Sequence, residues 1–160
     1  MNEIELKQHV ERAEKGPKRL AAAVSGLPDK VLRYSPAPGK WSILEILAHL
    51  ADVEIVYSYR LRQILADKDP TIAPIDQNEW AKNLGYLEAL PAELVAQFGV
   101  NRHHNLRLLR RLTPADLSKR ARHPEMDRPM TAEDLVRRFV LHDDNHLAQI
   151  EALKKAAGES

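Results

Sequence analysis

Apolar residues recur at helical spacing in four long stretches of the chain. Steps of three and four residues place such positions on one side of an α-helix, and the opposite side is polar in each stretch. Amphipathic helices of this length bury their apolar sides by packing against one another. The pattern therefore predicts an all-α fold, a four-helix bundle. The four stretches run from Asn2 to about Gly26, from Ser42 to about Asp67, from Ala92 to Leu112, and from Thr131 onward.

Capping residues mark where two of these helices begin. Ser42 is followed three positions later by Glu45, and Thr131 is followed three positions later by Asp134. A hydroxyl with a carboxylate at this spacing is the pattern of a capping box, in which each side chain bonds the backbone of the other residue. We therefore assign Glu45 to the cap.

Breaker residues interrupt the pattern elsewhere. Gly16-Pro17 lies inside the first stretch, and because proline removes a backbone donor, we expect a kink or a break there. Residues 68–90 have no clear periodicity, which predicts a long crossover between the second and third helices, with a short helix near 76–83. The segment KRARHPEMDRPM, residues 119–130, is predicted to be a loop.

Composition supports this fold class and limits the partners. The 160 residues suffice for one domain, and the connectors are too short to separate two cores, so we expect a single domain over residues 1–160. A net charge of +1 gives no general attraction to nucleic acid or to an anionic membrane. No apolar run approaches the roughly 20 residues of a membrane span, and no signal peptide is visible, so we expect a cytoplasmic protein.

Two of the seven histidines occupy positions that require an explanation. His142 and His146 lie one turn apart, in the apolar stripe of the fourth helix. Buried imidazoles need hydrogen-bond partners, or a divalent metal that takes a lone pair from each ring. His49 borders the core stripe of the second helix, and three histidines with one open position form the ligand set of a catalytic zinc site. A cluster of hydrogen-bonded core histidines is the alternative, and the sequence leaves both open.

The motif His142-Asp143-x-x-His146 also resembles the H-E-x-x-H motif of zinc proteases. Asp is one methylene shorter than the Glu of that motif, and no strand is predicted beside this helix to hold a peptide. We therefore interpret Asp143 as a solvated charge and do not expect a protease.

The segment PGKWSILEILAHLADVE, together with HDDNHLAQI, resembles the DinB-like, YfiT-related family of metalloenzymes over roughly residues 4–156. The resemblance implies a four-helix bundle with a long crossover, and a divalent metal held by His49, His142 and His146. It favours zinc or nickel, with iron as a further candidate, and is compatible with a homodimer. Relatives of this kind include hydrolases and transferases that join a low-molecular-weight thiol to an electrophile. We therefore expect a metal-dependent enzyme acting on a small electrophilic substrate.

Further polar residues are weaker candidates for the site. Asp52 follows His49 by three residues, so it is placed to accept a hydrogen bond from an imidazole N–H. Asp76 lies with Trp80 on the crossover, where a flap over a metal could form. Asp52 and Asp76 are thus the catalytic candidates. Asn101 and Asn105 interrupt the core stripe of the third helix, as polar groups facing a wet cavity would.

A non-catalytic function is the alternative. In that case the metal, or a hydrogen-bonded histidine cluster, stabilises the bundle, and its outer faces bind a protein partner. Neither hypothesis involves nucleic acid or a membrane.

Overall fold

Four long helices make up most of the computed structural model, which describes residues 1–158. The elements in chain order are α1 (Glu3–Val24), α2 (Asp29–Leu32), α3 (Ile43–Ala66), α4 (Gln77–Asn83), a 3-10 helix (Tyr86–Glu88), α5 (Pro91–Leu109), α6 (Pro114–Leu117), β1 (Arg120–Ala121), β2 (Met130–Thr131) and α7 (Ala132–Gly158). Helices α1 and α3 each pack against both α5 and α7, which confirms the four-helix bundle. The connection from α3 to α5 is the predicted crossover, and α4 is its short helix.

A capping box fixes the start of α3. The Ser42 hydroxyl accepts from the Glu45 N–H at 3.3 Å, and Oε2 of Glu45 accepts from the Ser42 N–H at 2.7 Å. Each side chain thereby satisfies a backbone donor that the first helical turn leaves without a partner. His49 follows this cap by two turns, so its position along the bundle is set from a well-defined end.

The core consists of two apolar clusters stacked along the bundle, with a polar layer between them. One cluster includes Phe139 and Leu61, and the other includes Ile46 and Ile150. The change from one cluster to the other occurs between Ala13 and Leu20 in α1, between Ala51 and Val53 in α3, between Phe98 and Leu106 in α5, and between Val140 and Ile150 in α7. His142, Asp143 and His146 of α7 lie between these two cluster boundaries.

Helix α1 runs through Pro17 without the expected break. Pro17 has no N–H to donate to the carbonyl of Ala13, one turn earlier. Nη1 of Arg102 donates to that carbonyl instead, at 2.9 Å. Gly16 permits this approach, because a Cβ at that position would lie 2.6 Å from Nη1 of Arg102 and 2.5 Å from Oδ2 of Asp143. The Gly-Pro pair is therefore a docking position for a side chain from another helix.

The segment predicted to be a loop contains a short antiparallel pairing. Arg120 pairs with Thr131, and Ala121 pairs with Met130. The side chains of Ala121 and Met130 are both 1% exposed and cover one end of the core. Strands of two residues are too short to show an alternating pattern, which explains why the sequence suggested only a loop. No helix in the described part of the chain combines the length and the apolar content needed to cross a bilayer.

Candidate metal centre

Three imidazoles from two helices converge in the polar layer. Nε2 of His142 lies 3.0 Å from Nε2 of His49 and 3.1 Å from Nε2 of His146. The candidate ligand atoms of all three residues lie within 4.8 Å of one another. Nitrogen ligands arranged tetrahedrally at their usual distance from a zinc ion are about 3.3 Å apart. The two separations from Nε2 of His142 are within a few tenths of an ångström of this value, and the three rings together form a candidate site for one divalent metal ion.

Burial keeps the three rings neutral. It lowers the pKa of His49 to about 3, and the charge of a protonated His146 would act in the same direction. Burial likewise lowers the pKa of His142 to about 2. The pKa of His146 is lowered by burial as well, with partial opposition from its hydrogen bond to Gln149. Neutral imidazoles retain the lone pair that a metal requires, so protons do not compete for this site at neutral pH.

A hydrogen bond outside the cluster selects the tautomer of His146. Its Nδ1 lies 2.7 Å from Oε1 of Gln149, and because an amide oxygen can only accept, Nδ1 carries the proton. Nε2 then presents its lone pair toward His142. This arrangement, in which the second ring nitrogen donates to a fixed acceptor, is how proteins orient histidines that bind metals.

The lowered pKa values lead to a spectroscopic prediction. In metal-free protein, the ring resonances of His49 and His142 are expected not to titrate between pH 5 and pH 8, because both pKa values lie below that range. Nuclear magnetic resonance of the histidine Cε1–H signals, assigned with the variants His49→Asn and His142→Asn, measures this directly. A titration midpoint near 6.5 for either ring would contradict the burial argument.

Aromatic rings enclose the cluster on two sides. The ring centroid of Trp41 lies 4.8 Å from that of His49, and the ring centroid of Tyr57 lies 5.7 Å from that of His142. Tyr57 also contacts Phe139 edge-on. These contacts restrict ring rotation; His49 is buried, and His142 and His146 are half-buried.

A cavity opens beside His146. Its volume is about 490 Å³, within the range of small-molecule sites. The loop before α3, the start of α4 and the outer part of α7 form its wall, so the crossover does reach the candidate site. The lining residues are Pro36, Gly39, Lys40, Trp41, Ile46, Gln77, Asn78, His146, Gln149, Ala152 and Leu153. The cavity thus gives a small molecule access to His146, one of the three histidines.

A buried ion-pair cluster lies next to the histidines. Arg102 of α5 is 1% exposed. Its Nη1 and Nη2 donate to the two carboxylate oxygens of Asp143 at 2.7 and 2.9 Å, and its Nε donates to Oε1 of Glu54 at 2.8 Å. Asn105 donates to Oε2 of Glu54 at 3.0 Å. With the bond to the Ala13 carbonyl, this cluster joins all four long helices at the level of the polar layer.

The charges in this cluster depend on one another. Burial raises the pKa of Glu54 and of Asp143, and Arg102 opposes both shifts. Burial alone would lower the pKa of Arg102, but its hydrogen bond with Asp143 and the charge of Glu54 outweigh this effect and raise it. The guanidinium therefore stays charged, and it makes the two buried carboxylates tolerable.

Two interpretations based on the sequence are corrected here. Asp143 is not a solvated charge: it is 4% exposed, and both of its oxygens accept from Arg102, which also removes it from the role of a protease base. Asn105 is fully buried and donates a hydrogen bond to Glu54; it does not face a wet cavity. Arg102 and Glu54 were not predicted from the sequence. Arg102 follows Phe98 by one turn in the apolar stripe of α5. A charged residue at such a position was the feature of the sequence that could have indicated a buried ion pair.

The catalytic candidates lie outside the histidine cluster. Asp52 accepts a hydrogen bond from the Tyr86 hydroxyl at 2.7 Å and thereby fastens the crossover to α3. Within residues 1–158 no imidazole of the cluster donates to Asp52, so the predicted contact is not formed. Asp76 is exposed and caps α4, accepting from the N–H groups of Asn78 and Glu79.

The remaining candidates are also not part of the histidine cluster. Trp80 is half-buried and packs against the apolar cluster that contains Ile46, so it contributes to the core. Asn101 is half-buried on α5.

Comparison with known proteins identifies a family for this chain and agrees with its fold. The family model of the DinB superfamily matches residues 12–150. A protein of Oceanobacillus iheyensis, named as a candidate metal-dependent hydrolase, is 29% identical over 95% of this chain and 87% of its own length. YfiT of Bacillus subtilis, named in the same way, is 27% identical over 92% of this chain and 83% of its own length.

A solved structure of YfiT, described as a four-helix bundle of unusual topology, superimposes with a TM-score of 0.92. It is 25% identical and covers 99% of this chain and 90% of the other. The bundle, its crossover and the extent of the family match lead to one conclusion: this chain belongs to the DinB superfamily.

Proposed function

We propose that this protein is a metal-dependent hydrolase that acts on a small electrophilic substrate bound in the cavity beside His146. The observation that carries the proposal is the convergence of three neutral imidazoles, with Nε2 of His142 3.0 and 3.1 Å from the other two, beside an open cavity of about 490 Å³ that His146 lines. The names of the relatives, which describe metal-dependent hydrolases, support it. His49, His142 and His146 are the proposed ligands, and zinc or nickel is favoured over iron.

The protein residues have separable roles in this proposal. A bound divalent ion supplies Lewis acidity and lowers the pKa of a water or thiol placed on it. His49 and His142 provide uncharged donors, because burial keeps both rings neutral. Gln149 orients His146, and Trp41 shields His49 from solvent while forming part of the cavity wall. The substrate is held on the side of His146 that faces the cavity.

Transfer of a thiol to the same kind of electrophile is the second candidate. The observation that favours it is the lining of the cavity, which includes no Asp or Glu among the described residues. Water used as a nucleophile generally needs a base to take its proton, whereas a thiol has a much lower pKa and needs less assistance. A thiol bound in this cavity would therefore depend less on a carboxylate than water does.

Metal content is the first test. Untagged protein is expected to contain about one equivalent of a transition metal, measured by elemental analysis. His142→Ala is expected to contain less than half an equivalent, because it removes the ligand that lies between the other two. His104→Ala, on the exposed side of α5, is the matched control and should keep the metal. Equal metal content in the wild type and in His142→Ala would contradict the proposed site.

Turnover then separates the candidate functions. Wild-type protein is expected to hydrolyse members of a panel of activated esters and amides, with loss of activity in a chelator and in His142→Ala. Activity that appears only after a low-molecular-weight thiol is added would identify the transferase instead. Bound metal that raises the thermal midpoint without turnover in either panel would identify the non-catalytic bundle.

A further inference from the structure

We propose that the cavity beside His146 binds a small molecule with a single carboxylate group, which forms an ion pair with Lys40. The inference rests on the proposed function, because it names the class of substrate that the site accepts. It is carried by the charges, the hydrogen-bond donors and the shape of the cavity wall.

Lys40 is the one residue with a permanent charge among the described residues that line this cavity. Its ammonium group makes no ion pair or hydrogen bond with any residue in the range 1–158. Lys82 of α4 and Lys154 of α7, by contrast, are paired with Glu79 at 3.8 Å and with Glu151 at 2.8 Å. Among the described residues, the lining of this cavity therefore has a cation without a counter-ion and no carboxylate, and Glu45 and Glu88 line the adjoining cavity that shares Lys40.

The turn before α3 holds Lys40 at the cavity rim. Gly39 has a φ of +74°, a left-handed conformation that favours glycine, and it reverses the chain just before Lys40. The N–H of Lys40 donates to the Ala37 carbonyl at 3.0 Å, and the Ser35 hydroxyl donates to the Lys40 carbonyl at 2.7 Å. The next residue is Trp41, whose ring contacts His49. The backbone of Lys40 is thus fixed on both sides, close to the metal centre.

A second group of donors faces the same space. Oε1 of Gln149 is engaged by His146, so the amide NH₂ group of Gln149 is left to donate into the cavity. The side-chain amides of Gln77 and Asn78 also line it. A carboxylate has two acceptor oxygens and one charge, which matches one ammonium with neutral amide donors. Among residues 1–158 no arginine lines the cavity, and a phosphate dianion would favour a guanidinium.

The remainder of the wall is apolar. Trp41, Ile46 and Leu153 supply an aromatic and aliphatic surface on the side nearest the core. Apolar walls with a few placed polar groups are typical of small-molecule sites, in which the polar groups fix orientation. The expected ligand has an aryl or alkyl body against this surface and its carboxylate at Lys40.

Binding of a matched pair of probes tests the proposal in metal-free, full-length protein. 3-Phenylpropionate is expected to bind at least about tenfold more tightly than 3-phenylpropionamide, as measured by calorimetry, because only the acid forms a charge-assisted contact. Lys40→Met should weaken binding of the acid about tenfold and leave that of the amide unchanged. Lys40→Arg should retain binding of the acid. Lys82→Met is the control, since Lys82 is already paired with Glu79 and is not in this cavity wall.

Several outcomes overturn the inference. Equal affinity for acid and amide does so, as does absence of detectable binding of the acid or an unchanged affinity in Lys40→Met. Inorganic phosphate that binds as tightly as the acid, with dependence on Lys40, would also overturn the choice of a carboxylate. Because the experiment uses no metal and no turnover, its failure leaves the proposed hydrolase to be judged by its metal content and activity alone.

Discussion

Replacement of Arg102 by methionine is expected to lower the free energy of unfolding by about 3–5 kcal/mol, the usual cost of removing one partner from a buried ion pair. The variant leaves the carboxylates of Glu54 and Asp143 in the interior, 2% and 4% exposed, without their cation. It also removes the donor to the Ala13 carbonyl, which Pro17 cannot satisfy. Urea unfolding at pH 7, in the presence of chelator, measures the loss without a contribution from bound metal.

The pH dependence of this loss has a definite sign. Without Arg102, both carboxyl groups have pKa values in the folded protein that burial raises above those of the unfolded chain. Such groups bind more protons when folded, so stability falls as the pH rises and recovers as the pH is lowered. The difference between wild type and Arg102→Met should therefore shrink toward pH 5. A difference that grows on acidification would contradict this account.

A triple variant provides the control for charge. When Arg102→Met is combined with Glu54→Leu and Asp143→Leu, no unpaired charge remains at the position of this cluster. Replacement of a whole buried ion cluster by apolar residues is often neutral or stabilising, so most of the loss should be regained. A triple variant as unstable as Arg102→Met would show that packing of the guanidinium, not its charge, stabilises the bundle.

Gly16→Ala is expected to destabilise the protein by about 1–3 kcal/mol, the range for overpacking in an ordered interior. In an exposed helix the same change stabilises by about 0.5–1 kcal/mol, because glycine has the lower helix propensity. At Gly16 the new Cβ would meet Oδ2 of Asp143 at 2.5 Å and Nη1 of Arg102 at 2.6 Å. Both atoms belong to buried, mutually bonded side chains, so neither can move away freely. Thermal and urea unfolding measure the effect.

Gly99→Ala is the matched control on another long helix. A Cβ at Gly99 would contact Pro17 at 3.8 Å, an ordinary van der Waals distance. The substitution should therefore show the helix-propensity gain alone. If Gly16→Ala were as stable as Gly99→Ala, the Gly-Pro pair of α1 would not be the close contact described above.

The histidines could be predicted from the sequence because their signal is local. His142 and His146 are one turn apart in an apolar stripe, and that spacing alone places both rings on one side of α7. The boundaries of α3 could be predicted for the same reason, since Ser42 and Glu45 act within a single turn. The length of α3 and the spacing of its apolar residues then predicted that His49 lies beside the pair on α7, without any information on contacts between helices.

The ion-pair cluster could not be predicted in this way because its contacts are between helices. Asp143 lies between two predicted ligands in the sequence. Its position on α7 does not show that the guanidinium of Arg102 in α5 binds it. Pro17 suggested a break, because a prediction from the local sequence includes the lost N–H of proline. It does not include the hydrogen bond that Arg102 donates to the Ala13 carbonyl. Asp52 follows His49 by three residues in α3, but its oxygen accepts from the Tyr86 hydroxyl of the crossover and not from an imidazole.

The proximity of Trp41 to His49 has an optical consequence. The indole centroid lies 4.8 Å from the imidazole centroid, so light absorbed by Trp41 excites a chromophore in contact with a proposed metal ligand. Nickel and iron have partly filled d shells and quench an indole excited state at such range. Zinc has a filled d shell and leaves its emission largely intact. The protein thus carries a built-in fluorophore that distinguishes the candidate metals in the intact molecule.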